Sequence, residues 1–146
     1  TNAEVLGELM QKSGDNLTGE VNFQDNLLTR PEIKDYAETR TAPTITAGAL
    51  TLDLVNGNVF EVSLTANVTT LNLNNPPATG KGGSITLLLK QDATGSRTIT
   101  WPAAVKWAGG TAPTLSTAAN AVDIIVLVTL DAGTTWYGFL SGADLK

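Results

Sequence analysis

Apolar side chains occupy every second position in two neighbouring stretches of the chain, residues 50–54 and 60–64. A period of two is typical of strands that bury one face. The intervening Asn56-Gly57-Asn58 tolerates the positive φ angles of a tight turn. The pattern therefore predicts an antiparallel hairpin with a three-residue loop, in which Leu54 faces Phe60 and the last loop residue is left-handed.

Similar apolar stretches recur along the chain, separated by clusters of Gly, Pro, Asn and Asp that are typical of turns. They predict an all-β fold, an antiparallel β-sandwich that is jelly-roll-like and has about eight strands. We expect two domains, an N-terminal arm with short helices over residues 1–43 and the sandwich over residues 44–146. The expected strands are residues 44–46, 50–55, 59–64, 69–73, 84–91, 97–101, 122–130 and 134–140.

Two of the expected strands, residues 84–91 and 122–130, are apolar on both faces. In a two-layer sandwich, only one face of each strand packs against the core. An apolar outer face therefore indicates a contact with something else. We expect that contact to be another subunit, because the N-terminal segment offers only two short apolar stripes as cover.

Apolar residues at helical spacing characterise the N-terminal arm. They predict a short helix over residues 2–12 and a second one over residues 31–39, with Pro31 in its first turn. Helices this short need a partner surface to be stable. The residues expected to bind a partner are Val5, Leu6, Leu9, Met10, Leu17, Val21, Phe23, Ile33 and Tyr36 in the arm, and Trp107 in the sandwich.

Composition and charge argue against several classes of partner. The chain of 146 residues has a formal charge of −5, and its nine basic residues form no cluster, so we expect neither nucleic acid nor an anionic membrane surface as a partner. The most apolar run, residues 121–130, is about half the roughly 20 residues that a bilayer span requires. The N-terminus lacks the basic and apolar regions of a signal peptide. If Thr1 follows a removed initiator Met, the chain is a complete small protein.

The absence of cysteine and histidine removes disulfides, thiolate metal sites and histidine-based catalysis, so we expect no cofactor and no metal. Carboxylates are the remaining acid–base groups. Asp123 precedes an apolar strand, and we expect it to accept hydrogen bonds from the backbone; the alternative is catalysis with a second carboxylate. In the predicted hairpin, Asp53 faces Glu61, where a bound cation is the alternative to screening by solvent.

Four aromatic residues suggest either a sugar-stacking platform or packing in the core: Trp101, Trp107, Trp136 and Tyr137. We expect packing for Trp101 and Trp136. Trp107 lies beside Gly109-Gly110 and is the best candidate for a contact. The glycine-rich stretch at residues 80–83 lacks the strand–loop–helix context of a phosphate loop, so no nucleotide site is expected there.

Several stretches resemble proteins of tailed bacteriophages. Residues 13–21, SGDNLTGEV, are similar to the G-D-x-[ML]-T-G-x-[ILV] element of tail-fibre and head-fibre proteins, and residues 28–38, LTRPEIKDYAE, resemble the linker helix that follows it. NPPATGKGGSITLLLKQD, RTITWPAAVKW and DAGTTWYGFL resemble a compact β domain of phage virion proteins. The resemblance implies a non-enzymatic virion component, usually a homotrimer, that is assembled in the host cytoplasm. Tail fibres usually carry several copies of the element or a long shaft, whereas this chain has one copy.

From these observations we expect a homotrimeric capsid decoration protein that docks through its N-terminal arm on the major capsid protein or another virion protein, and projects a β knob. The alternative is a short tail fibre or receptor-binding protein, in which Trp107 and residues 109–117 contact a host surface glycan. A third reading is a carbohydrate-active enzyme that uses Asp123.

Overall fold

The computed structural model describes residues 29–146. The chain divides into two units, residues 1–36 and 37–146. Every strand in the described residues belongs to the second unit, so this unit carries the fold.

The described residues form eight strands and two short 3-10 turns, Leu54–Asn56 and Ala108–Gly110. The β-rich character predicted from the sequence is confirmed. The strands are β1 (Arg40–Thr41), β2 (Ala49–Asp53), β3 (Val59–Leu64), β4 (Thr70–Asn74), β5 (Gly83–Gln91), β6 (Val105–Lys106), β7 (Val122–Thr129) and β8 (Trp136–Leu145).

The strands form a six-stranded sheet in the order β1-β3-β5-β7-β8-β6 and a two-stranded sheet of β2 and β4. From β2 to β5 the chain alternates between the sheets, so that β2 pairs with β4 and β3 pairs with β5, both in parallel. β7 is antiparallel to both β5 and β8. The first strands of the unit therefore pair in parallel within two sheets, and its last two long strands, β7 and β8, form an antiparallel hairpin.

The expectation of antiparallel pairing throughout is wrong, because four pairs are parallel: β1 with β3, β2 with β4, β3 with β5, and β6 with β8. Two expected strands contribute only isolated bridges, Thr46 to Ala49 and Val68 to Ile99. The description as a jelly-roll-like sandwich stays a prediction.

The predicted hairpin between residues 50–55 and 59–64 is also wrong, because these stretches lie in different sheets. Asp53 caps the 3-10 turn that follows β2, with its Oδ1 atom accepting the Val55 N–H at 3.0 Å. Gly57 then has φ 126°, and a Cβ atom there would lie 2.4 Å from the carbonyl oxygen of Thr39. Only glycine fits this close approach. It lets the chain leave one sheet and enter the other.

One hydrophobic core is shared by the two sheets. Leu50 and Leu52 of β2 are completely buried, as are Val62 of β3, Leu87 of β5 and Leu127 of β7. Each sheet therefore buries one face against the same core.

The helix predicted over residues 31–39 is not present, because this stretch is coil with a bend at 34–35. Ile33 and Tyr36 are 60% and 71% exposed, so the stretch lacks the packed apolar side that a short helix needs. The helix predicted over residues 2–12 lies outside the described residues. No helix in residues 29–146 is long and apolar enough to cross a membrane.

Candidate interaction surface

One face of the six-stranded sheet is largely apolar on β7 and β8 and is not covered by the rest of the described chain. The register brings its side chains together: Val126 pairs with Phe139 and Val128 with Tyr137, while Ile124 pairs with Leu88. We call this surface the outer face. Its members are Leu88 of β5, Val122, Ile124, Val126 and Val128 of β7, and Tyr137, Phe139 and Leu145 of β8.

The outer face arises from apolar side chains on both sides of β7. Ile125 and Leu127 point into the core and are completely buried, and the residues between them point outward because side chains alternate along a strand. The four outward side chains of β7 are half-buried. On β8, Tyr137 and Phe139 are 50% and 55% exposed. Exposed apolar area of this kind is typical of an interaction site.

No member of the outer face is charged, and the polar side chains of Thr86 and Ser84 lie beside it, paired with Val126 and Val128. Lys90 of β5 pairs with Val122 at its border, and Glu61 of β3 pairs with Leu88. The Glu61 carboxylate forms an ion pair with Arg40. The surface therefore matches an apolar partner better than a charged one.

β8 borders the outer face and has a free edge. On the side away from β7, β6 pairs only with Trp136 and Tyr137, and no other described strand continues this pairing. Backbone groups beyond Tyr137 on that side are available to another strand.

The loops beside the sheet are held by buried polar side chains. Gln91 at the end of β5 is 3% exposed and satisfies all its hydrogen-bonding groups locally. Its Nε2 atom donates to the carbonyl oxygens of Arg97 and Ser116 at 3.0 and 2.9 Å, and its Oε1 atom accepts the Arg97 N–H at 2.8 Å. This side chain ties two loops to the end of one strand.

An ion pair closes the turn after β5. Arg97 donates to Oδ2 of Asp92 through Nε and Nη2, at 2.9 and 2.7 Å, while Oδ1 accepts the N–H groups of Thr94 and Gly95. The hydrogen bond from Arg97 and these backbone bonds lower the pKa of Asp92 below its ordinary value of 3.8, against the opposing effect of burial. The turn is therefore held by a carboxylate that favours its charged form.

Asp123 has the role expected of a structural carboxylate. It is 3% exposed, and it accepts the N–H groups of Ser116 at 2.7 Å and of Asp144 at 3.0 Å. Within residues 29–146, no group of three or more acidic side chains could hold a metal ion. Both oxygen atoms of the Asp123 carboxylate are bound to backbone N–H groups.

Asp53 and Glu61, which the predicted hairpin places opposite each other, have separate partners. Oδ1 of Asp53 accepts from Asn75 Nδ2 at 2.9 Å, and Glu61 pairs with Arg40. Asp53 also lines an open cleft of about 370 Å³ together with Thr41, Asn56 and Phe60. Phe60, which lines this cleft, is 1% exposed.

The four aromatic residues do not form a stacking platform. Trp136 is in the core at 1% exposure, and Tyr137 points to the opposite face of the same strand. Trp101 and Trp107 pack edge to face with ring centroids 5.0 Å apart, and both are partly buried against the core. The expected contact role of Trp107 stays a prediction, and its ring is already occupied by packing.

The other expected partner-binding residues are not brought together in the described part of the chain. Ile33 and Tyr36 lie in exposed coil. Those between Val5 and Phe23 lie outside the described residues. The sequence analysis did not place Tyr137, Phe139 and Leu145 on a common surface. The signal was the alternation along β8, in which Trp136 and Gly138 face one side of the strand and Tyr137 and Phe139 face the other.

The unit is β-rich and carries the uncovered outer face. Its Asp123 carboxylate is bound to backbone N–H groups, and Asp92 and Glu61 are paired with arginines. These features are typical of a structural module. Residues 41–135 match the family described as "Putative phage tail fibre C-terminal domain". The chain belongs to this family, and it is a structural protein of a phage virion. A search of curated proteins found no match, and neither did a search of solved structures.

The family match confirms the predicted class of virion structural protein. It begins at β1 and ends in the turn before β8. The element over residues 13–21 lies outside the match and stays a prediction.

Proposed function

We propose that this chain is the C-terminal structural module of a phage tail fibre, that it works as a homotrimer, and that it acts by binding without chemical turnover. The family match over residues 41–135 carries this proposal, because it spans most of the β-rich unit. It favours the tail-fibre alternative over the capsid decoration protein, which was the first expectation from the sequence.

In this proposal the β-rich unit is the projecting part, and the N-terminal residues attach it to the rest of the particle. The Asp123 carboxylate is bound to two backbone N–H groups, which is compatible with a binding role. A host surface glycan is the proposed external partner. The packed ring of Trp107 makes the loop at 109–117 a better candidate for that contact than the tryptophan itself.

The location on the particle tests the proposal. Gold-labelled antibodies raised against the β-rich unit should decorate the tail fibres of intact phage in electron micrographs, and a phage with the gene deleted should remain unlabelled. Labelling spread over the head would contradict the tail-fibre proposal and support a decoration protein instead.

A further inference from the structure

We infer that the outer face is the surface through which copies of this chain associate, with β7 and β8 of three copies turned toward one threefold axis. The inference deepens the proposed homotrimer, on which it rests, by naming the surface that the copies share.

The first argument is area. An aromatic side chain has roughly 150–250 Å² to bury, and about half of this is exposed at Tyr137 and Phe139. With the six smaller side chains, the outer face offers on the order of 500 Å² of apolar surface in each copy. Three such faces turned toward one axis remove on the order of 1,500 Å² of apolar surface from water.

The second argument is charge. Copies of a chain with a formal charge of −5 repel one another unless their acidic groups lie away from the contact. Two acidic residues beside the outer face each have a basic partner: Glu61, next to Leu88, pairs with Arg40, and Asp144 pairs with Lys146.

The third argument is continuity between the face and the free edge of β8. On the side away from β7, the residues from Phe139 to Leu145 have no described strand beside them. A copy that covers the outer face also covers this edge, whose unpaired backbone groups would otherwise be open to pairing with strands of other chains. One contact thus covers both exposed features.

The test compares the same substitution on and off the surface in the full chain. Val126→Glu places a charge in the centre of the outer face, whereas Val55→Glu places it in the 3-10 turn after β2, where Val55 is 77% exposed. Light scattering should give three times the 15.2 kDa chain mass for wild type and Val55→Glu, and one chain mass for Val126→Glu. An unchanged mass for a folded Val126→Glu variant would overturn the inference.

If Val126→Glu does not fold, a second measurement tests whether copies meet at the outer face. The chain has no cysteine, so Phe139→Cys and Val55→Cys each introduce one thiol. A short bismaleimide should link copies through residue 139 and not through residue 55. Equal linking at both positions, or none at 139, would contradict the inference.

These outcomes separate the inference from the proposed function. A wild-type chain of one chain mass whose Phe139→Cys thiol is protected from modification would show that another part of the chain covers the face, and would overturn the inference. Labelling of tail fibres by the antibody would still support the proposed function in that case.

Discussion

Gly138 shows at the scale of one residue how the sheet accommodates a large side chain. It lies in β8 between Tyr137 and Phe139 of the outer face and points to the inner side, where the Trp107 ring covers it. A Cβ atom on residue 138 would lie 2.5 Å from Cζ3 of Trp107. Trp107 packs in turn on Trp101, so this glycine fixes the position of the aromatic pair.

We predict that Gly138→Ala lowers the free energy of unfolding by about 1–3 kcal/mol, because the added methyl group forces Trp107 out of its packed position. Urea unfolding measures the change, and tryptophan fluorescence reports the displaced ring. Gly82→Ala is the matched control, since its Cβ atom would meet Leu130 at an ordinary 3.5 Å. Equal stability of both variants would show that Trp107 is not constrained by Gly138.

The turn between β7 and β8 offers a second test at this scale. Ala132 has φ 55° and Gly133 has φ 77°, and a left-handed conformation costs a residue with a Cβ atom about 1–2 kcal/mol. Asn tolerates this region well in two-residue hairpin turns.

Ala132→Asn should therefore raise the free energy of unfolding by about 0.5–1 kcal/mol, as measured by urea unfolding. Ala119→Asn is the control, because Ala119 is also exposed in a turn but has no positive φ. A gain of the same size at position 119 would argue against relief of strain at position 132.

At the scale of elements, the sequence indicates where strands lie but not which strands pair. β2 and β3 show the alternation of a half-buried strand, and this alternation is the same whether the partner is adjacent in sequence or some 21 residues away, as Ala49 and Thr70 are. At the turn between β2 and β3, the close approach of Thr39 to Gly57 links distant parts of the chain. No local pattern encodes it.

The outer face could be predicted only in part, because alternation shows where apolar side chains lie but not which strands are neighbours. The two apolar rows of β5 and β7 are visible in the sequence and predicted an uncovered surface. The contribution of β8 depends on its antiparallel register with β7, which places Tyr137 and Phe139 beside Val128 and Val126. Register is set by the turn and by packing, so a single strand read alone does not reveal it.

The turn after β5 carries a prediction about pH. Because the pKa of Asp92 is lowered in the folded chain, chiefly by Arg97, its stabilising contribution is present above the unfolded value of 3.8 and is lost as the pH falls through the folded value. Asp131, held mainly by the Thr135 N–H, behaves in the same direction.

We expect the melting temperature of wild type to fall more steeply below about pH 4 than that of Asp92→Asn, which lacks this contribution at every pH. Calorimetry from neutral to acid pH measures both. Asp35→Asn removes an equal charge from exposed coil and should follow wild type. Parallel acid profiles for wild type and Asp92→Asn would contradict the assigned role of the pair with Arg97.

At the scale of the whole molecule, β5, β7 and β8 bury side chains on one side and carry the outer face on the other. If copies associate through the outer face, folding and association are coupled, and dilution weakens both.

The melting temperature of wild type should therefore rise with chain concentration over about a hundredfold range, since association stabilises only the folded chain. Differential scanning calorimetry measures it. Val55→Glu should show the same rise, whereas Val126→Glu should melt at a temperature independent of concentration. A flat profile for wild type would mean that the folded copies do not associate in this range.

The polar residues at the two ends of β7 determine the register of this strand with its neighbours. A slip of β7 by one residue would turn Val122, Ile124, Val126 and Val128 into the core, and hydrophobicity alone would hardly oppose it because both rows are apolar. Asp123 and Thr129 lie at the two ends of the inner row, 3% and 0% exposed. Asp123 accepts from Ser116 and Asp144, and the Thr129 hydroxyl bonds to Asp131 and Gly133. In a slipped strand these buried groups would lose their partners, so two polar side chains select the one correct alignment of an otherwise ambiguous strand.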